Sequence, residues 1–307
     1  MVAIIMAVYN GENYLSEQID SVLRGAEQNF RIHIFDDGST DSSADIIAGY
    51  TNQYPEKVVY HRNKKNRGVI RNFLEGCLEI DADYYMFCDQ DDIWLPEKIS
   101  HTLEKMQAAE KKYPNKPLVI FGDARVVDEN LQEIHPSFQR QSGYRTDRLD
   151  LPHILMENKL IGCTMLFNSS VKKLLADVPN LPDTLRMHDW WIALIAAALG
   201  KIIYLDEPLL LYRQHTGNVV GGSTKGAYIK NRLANLKAQR KVLYDTCAQA
   251  QSFLECYGTL LAKKQQHLIH LFATIPNVNW FTRRYRVLRY HFLKSGIIRN
   301  LGVLLVL

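Results

Sequence analysis

Between Val2 and Cys88 short apolar runs alternate with amphipathic stretches, and this alternation restricts the fold more than any other feature of the chain. Residues 2–8, 31–35, 58–61 and 84–88 have the length and the β-branched or aromatic content of strands, whereas 14–23, 42–50 and 69–80 read as helices. Strands joined by helical crossovers form a mostly parallel sheet, so an α/β fold is expected. Ligands of such sheets bind beyond the carboxyl ends of the strands. Three polar motifs fall there: Tyr9-Asn10-Gly11, Asp36-Asp37-Gly38-Ser39-Thr40-Asp41 and Asp89-Gln90-Asp91-Asp92.

The third motif carries the most chemistry. Three carboxylates crowded at a strand end repel one another unless protons or a cation relieve them, and a hard divalent ion does so directly. In the second motif two carboxylates precede a glycine and then hydroxyl or carboxylate caps for the next helix. One reading makes these residues loop organisers and caps; the other makes them ligand contacts. Their position on one predicted edge with the other two motifs favours a ligand cleft. Taken alone, Phe35-Asp36-Asp37-Gly38 resembles the start of a phosphohydrolase site, but the Asp-x-Asp spacing of nucleophile and acid is missing. A Gly-x-x-x-x-Gly-Lys-Ser/Thr phosphate loop and a strict Gly-x-Gly-x-x-Gly turn are missing too, which makes nucleotide hydrolysis and dinucleotide binding minor alternatives.

A chain of 307 residues, 47% of them hydrophobic, can bury the core that an enzyme of this class needs. Its five cysteines form no CxxC pair and read as buried small hydrophobes of a reducing compartment. The apolar start lacks a preceding basic segment, and no stretch reaches the length of a membrane span, so a cytoplasmic protein is expected.

The net charge of +4 conceals an asymmetry. Lys225 to Leu307 holds 14 Lys and Arg against 2 Asp and Glu, and the preceding residues hold 23 against 31. We therefore divide the chain into an acidic body, 1–224, and a basic helical region, 225–307. Helices are expected from Tyr228 to about Ala250 and from about Ser252 to Thr274. Beyond Pro276, Phe281, Tyr285, Leu288 and Phe292 recur at helical spacing beside Arg283, Arg284, Arg286 and Arg289, the composition of an interfacial helix. Such a tail suits an anionic membrane surface, while packing on the body or a homo-oligomer interface explains its apolar face equally well. Nucleic acid is not an expected partner, because no recognition motif accompanies the charge.

Taken in order, Met6 to Gly11, Asp36 to Asp41, Arg71-Asn72, Asp89 to Asp92, His188-Asp189-Trp190-Trp191 and Tyr212-Arg213-Gln214-His215 resemble glycosyltransferase family 2, whose inverting catalytic domains have the GT-A fold. The resemblance covers most of residues 1–220. It implies that Val8 and Tyr9 line a nucleobase pocket and that Asp36 accepts the N3–H of uracil or thymine. By the same resemblance Arg71 contacts the base or the diphosphate, and Arg213 belongs to the nucleotide-sugar site. Pairing with Glu75, four positions on, is the structural alternative for Arg71. The resemblance makes Asp91 a direct ligand of Mg2+ or Mn2+, Asp89 a contact to ribose or a metal-bound water, and Asp92 a contact to a sugar hydroxyl. His215 approaches the metal or diphosphate or else orients substrate, and Thr216 to Gly222 reads as a loop closing over the donor.

Asp189 is implied as the general base for the acceptor hydroxyl, with an N-cap role as its structural alternative. The family commonly has an acidic residue before it, where this chain has His188. Of Trp190 and Trp191, one is expected to shelve a sugar and the other to anchor the helix. Gly162 to Phe167 resembles the strand before the acceptor region, with Gly162 admitting either substrate or tight packing. Cys88 to Trp94 and Tyr212 to Gly221 resemble bacterial rhamnosyltransferases of O-antigen, capsular or cell-wall polysaccharide more closely. That resemblance implies dTDP-β-L-rhamnose as donor and a saccharide acceptor; the alternatives are another dTDP-sugar, a UDP-hexose, or a non-catalytic sugar-nucleotide-binding protein.

Overall fold

A computed structural model describes residues 1–215 and 235–307. The expected rhythm is present: β1 (Val2–Val8), α1 (Leu15–Leu23), β2 (Phe30–Asp36), α2 (Ser43–Gln53), β3 (Val58–Arg62), α3 (Val69–Glu79) and β4 (Tyr84–Cys88). Next come β5 (Ile93–Trp94), α4 (Lys98–Lys112), β6 (Leu118–Val127), β7 (Glu133–His135), α5 (Phe138–Ser142) and α6 (Leu151–Met156). The body continues through β8 (Met165–Asn168), α7 (Ser169–Ala176), α8 (His188–Leu199) and β9 (Lys201–Arg213). Among the described residues four helices follow: α9 (Leu236–Tyr257), α10 (Lys263–Ala273), α11 (Trp280–Arg289) and α12 (Ile297–Val306).

The described strands form one curled sheet in the order β3-β2-β1-β4-β8-β6-β9-β5, with β7 on β6. The first four strands are parallel, and β8 enters antiparallel between β4 and β6. The register aligns Val8 with Asp36 and Met6 with Cys88, so the three polar motifs leave the same edge together. Alternation along β1 sends Ile4, Met6 and Val8 into the core beneath α1 and α4, and Ala3 and Ile5 into the core on the other face.

Several details differ from the sequence expectations. Gly162 begins a 3-10 turn, Gly162–Thr164, and the strand starts only at Met165. β9 runs unbroken from Lys201 to Arg213 because it tracks β6 through two register shifts, the first of which accommodates Asp206-Glu207. The first long C-terminal helix runs to Tyr257 and breaks at Gly258–Ala262, not near Ala250. Phe292 lies past the end of α11 and is fully buried, so it takes no part in that helix's outer face. The boundary drawn at 224 and the loop expected over Thr216 to Gly222 lie outside the described residues.

The C-terminal helices share the core of the body. Trp191 on α8 is fully buried and meets Phe253 and Tyr257 of α9 edge-on and tilted, at 5.3 and 6.0 Å. Trp191 is therefore the anchor of the tryptophan pair. Burial of aromatic side chains of this size supplies several kcal/mol, on the order of 3–5 for loss of one such ring. All five cysteines are free, four of them buried. No helix among the described residues is long and apolar enough to cross a membrane.

Candidate active site

The three loops at the strand ends are bonded to one another. Gln90 brackets the Tyr9 backbone, accepting from its N–H at 2.9 Å and donating to its carbonyl at 3.2 Å. Asn10 adopts φ 51°, and its N–H donates to Ser39 Oγ while its side chain accepts from Thr40 N–H. Gly11 sits so close to Gln90 that a Cβ would come within 2.6 Å of its Oε1. A side chain here would displace the Gln90 amide from its hydrogen bonds to Tyr9. Val8 is buried in the core and donates nothing from its side chain; its carbonyl accepts from Asp37 N–H. Tyr9 is half exposed beside it.

Asp36 is fully buried and accepts from Ser39 N–H at 2.7 Å and Tyr60 Oη at 2.8 Å. A carboxylate offers about four acceptor positions, so two remain. Sequence reasoning passed over Asp37, which accepts from Asn63 Nδ2, Arg67 N–H and Gly68 N–H, all at 2.8 Å. It thereby fixes the turn that starts α3. Arg71, on that helix, bonds Glu75 at 3.1 Å and Asp183 at 2.7 Å. It lines a cavity of about 290 Å³ with Arg67, Leu181 and Leu185.

The carboxylates beyond β4 are in different company. Asp91 Oδ2 lies 2.9 Å from His215 Nε2, whose ring packs 4.9 Å from that of Tyr14. Thus the two residues read from sequence as metal ligands, 124 positions apart, are brought together. Asp89, Asp92 and Cys163 Sγ converge within 4.8 Å of one another. Burial first, then the charges of Asp91 and Asp189, raises Asp89 to a pKa of about 7. Burial, then the charges of Asp91 and Asp89, also push Asp92 far above the usual range, and its Oδ2 accepts no hydrogen bond. Lys98 lies beneath them, fully buried, donating to Cys163 carbonyl at 2.5 Å and sitting 4.2 Å over the Trp94 ring. Its burial lowers its pKa to about 8.

This carboxylate set fits a hard divalent cation, with Asp91 and His215 at the rim and the orphaned Asp92 oxygen behind. Cys163 does not suit the role, since burial raises its thiol well above its ordinary value and keeps it protonated.

Arg213 is consumed by the protein. Its guanidinium donates to Glu17, to Asp91 carbonyl at 2.9 Å and to Glu129 carbonyl at 2.8 Å, and its N–H donates to Asp92. It therefore locks the Asp91-Asp92 backbone to β9.

Asp189 lies in the first turn of α8, with Met187 at the N-cap position, so the capping alternative does not apply. Its carboxylate accepts from Asn158 Nδ2 at 2.9 Å and Gly162 N–H at 3.1 Å, and burial raises its pKa to about 6. His188 turns the other way, stacking on Phe73 at 4.2 Å, where burial lowers its pKa to about 3. A Cβ at Gly162 would fall 2.6 Å from His188 Nε2, so packing on His188 is what demands glycine there. Trp190 donates its indole N–H to Ile154 carbonyl.

Comparison with known proteins adds to this geometry. The family model described as glycosyl transferase family 2 matches residues 3–175. A dTDP-rhamnosyl transferase, RfbG of Shigella flexneri, is 28% identical over 247 residues, covering 77% of this chain and 81% of that protein. An uncharacterised glycosyltransferase of Rickettsia bellii is 29% identical over 218 residues, 69% of this chain, which spans only 29% of its length. S. aureus TarS, solved in complex with UDP-GlcNAc, superposes with a TM-score of 0.55 at 17% identity, covering 99% of this chain and 90% of that one. A mannosyltransferase of Pyrobaculum calidifontis, in complex with GDP-Man and Mn2+, gives 0.52 at 12% identity, with 99% and 78% coverage. These likenesses show the GT-A fold.

Proposed function

The chain belongs to glycosyl transferase family 2 and is a glycosyltransferase, and we propose that it moves L-rhamnose from dTDP-β-L-rhamnose, with inversion, to a hydroxyl of a saccharide acceptor. The 28% identity to a dTDP-rhamnosyl transferase over most of both chains supports this donor. The observation that carries the chemistry is the placement of a buried carboxylate, Asp189, against the Asp89–Asp92 group.

At neutral pH Asp189 is mostly ionised yet far more basic than a solvated aspartate, which suits it to take the acceptor proton. Asn158 and Gly162 hold it in place, so the acceptor oxygen gains nucleophilicity as the proton passes to the carboxylate and the bond to dTDP breaks. Asp91, with His215, is assigned to Mg2+ or Mn2+, which when bound neutralises the diphosphate leaving group. Asp89 and Asp92 are assigned to ribose and sugar hydroxyls. Tyr9 and the two free acceptor positions of Asp36 are assigned to thymine, and Arg71 to the diphosphate after exchanging Asp183 for the ligand.

We place the acceptor on a lipid at the inner face of the cell membrane. The test is incubation of the purified protein and metal with dTDP-rhamnose, dTDP-glucose and UDP-hexoses, each with lipid-linked saccharides, read by mass spectrometry. The expected product gains one deoxyhexose. Preferential gain of a hexose would reassign the donor, and tight nucleotide-sugar binding without any turnover would make the protein a binding module.

A further inference from the structure

Helices α11 and α12 each bury one side and leave the other apolar. Val287 of α11 and Val303 of α12 face the core. Phe281, Tyr285 and Leu288 on α11, and Ile298, Leu301 and Leu305 on α12, are exposed, with Phe281 at 77% and Ile298 at 65%. Their spacings of three and four gather each set into one helical stripe. Scattered exposed apolar residues are ordinary, but a stripe on each of two successive helices is apolar area that water alone covers at a cost. Arg283 ties the two helices together, donating to the Leu307 carbonyl at 3.3 Å as well as to Tyr244, Val278 and Pro276.

Charge selects the occupant. From Cys256 to Leu307 the chain has eight Lys and Arg and no Asp or Glu. The structure divides the five arginines among them into two groups that the sequence lumps together. Arg283, Arg286 and Arg299 turn inward: Arg286 bonds Leu271 carbonyl and Thr274, and Arg299 pairs with Glu157 at 3.0 Å. Arg284 lies 3.7 Å over the Trp280 ring and Arg289 lies 5.9 Å from that of Tyr290, at the margin of the α11 stripe. A second copy of this chain would bring the same positive margin with no carboxylate to answer it, which opposes a symmetric pairing. An anionic bilayer answers both features: its acyl boundary takes the apolar side chains, its phosphates the guanidinium groups, and its headgroup layer the tryptophan and tyrosine rings.

We propose that α11 and α12 dock this protein on an anionic membrane, lying in the interface without crossing it, through the two apolar stripes and the Arg284–Arg289 margin. The idea gives a location to the membrane-borne acceptor proposed above, and it is tested apart from transfer. Flotation of the full chain with phosphatidylcholine vesicles, with and without phosphatidylglycerol, is measured in the absence of donor. Wild type is expected to float with the anionic vesicles, and less so as salt rises. Arg284→Gln with Arg289→Gln should weaken binding roughly thirtyfold, at about fivefold per basic residue near such a surface. Phe281→Ser with Leu288→Ser, and separately Ile298→Ser with Leu301→Ser, should each weaken it by roughly tenfold or more. Because these side chains are exposed, apart from the half-buried Arg284, melting temperatures should hold.

Wild type that stays with the unbound fraction, or stripe variants that float unchanged, would overturn the proposal. So would a dimer in analytical ultracentrifugation that the stripe substitutions dissociate, since the surface would then be a contact between copies. Transfer to a soluble acceptor, assayed on the same samples, separates the two readings: lost flotation with retained transfer refutes only the docking surface, and the converse refutes only the proposed reaction.

Discussion

Two sets of aspartates end the parallel strands that flank β1, yet the protein treats them oppositely. Asp37 is saturated by nearby donors, Asn63 and the backbone N–H groups of Arg67 and Gly68, and Asp36 is half engaged by Ser39 N–H and Tyr60. Asp89 and Asp92 are held beside each other, beside Asp91 and near Asp189, with raised pKa values and one carboxylate oxygen left without a hydrogen bond. The first set spends most of its acceptors on folding the loops. The second keeps an unmet demand for positive charge, which is what a site for a metal and a diphosphate sugar requires.

The contrast fails at once if the second set is merely structural. Asp189→Asn should lower turnover by about 10²–10⁴-fold while donor affinity is kept, because an amide cannot take the proton. Steady-state kinetics with calorimetric donor titration checks this, and near-wild-type turnover with impaired donor binding would place Asp189 elsewhere. In the wild type, turnover should rise with pH through about 6 and then level, following the ionisation of this carboxylate.

The same group gives a stability signature. Its folded pKa is raised from 3.8 to about 6, so the folded state holds its proton more tightly than the unfolded state. That stabilisation is present at pH below 3.8 and is lost as pH rises through about 6. The melting temperature of Asp189→Asn relative to wild type should therefore improve across this window and flatten above it. A constant difference would show that burial does not disfavour the charge.

Asp91→Asn should reduce transfer by roughly a hundredfold, since it removes a ligand charge worth several kcal/mol to the developing diphosphate. Its fold should be intact, and undiminished wild-type activity in metal-free buffer would remove the metal from the mechanism.

Asp37→Ala sharpens the comparison from the other side. It leaves Asn63 and two backbone N–H groups without their acceptor, so thermal unfolding should show a loss of about 1–3 kcal/mol. Once folded, the variant should keep its turnover number; a kinetic collapse with unchanged stability would move Asp37 into the second set. The smallest effect is expected at Arg71, where Arg71→Lys should weaken donor binding only several-fold while leaving stability within about 0.5 kcal/mol, as for an exposed ion pair.

Much of the body was legible because local pattern determines it. β1 and β4 have the expected bounds and α3 ends within one residue of them, since alternation and helical period are properties of neighbouring side chains. The full length of β9 is not a local property, because Asp206-Glu207-Pro208 interrupts its apolar pattern and only shifts of register against β6 carry the strand through. Asp37, Gln90 and Lys98 escaped notice as site residues for a related reason. A second aspartate in a pair, a glutamine between aspartates, and a lysine at a helix start each have an ordinary surface reading, and nothing local says that they turn inward.

By itself the sequence determined the alternation that makes the sheet, the strand ends at which the polar motifs stand, and the excess of positive charge near its end. Only the tertiary structure decided which aspartates are satisfied and which arginines are spent. Asp37 is saturated by residues 63, 67 and 68, Asp189 is held by 158 and 162, and Arg283 is turned inward by carbonyls at 276, 278 and 307. The worth of a charged group depends on what surrounds it after water has been removed, and those surroundings are assembled by chain folding from segments far apart in sequence.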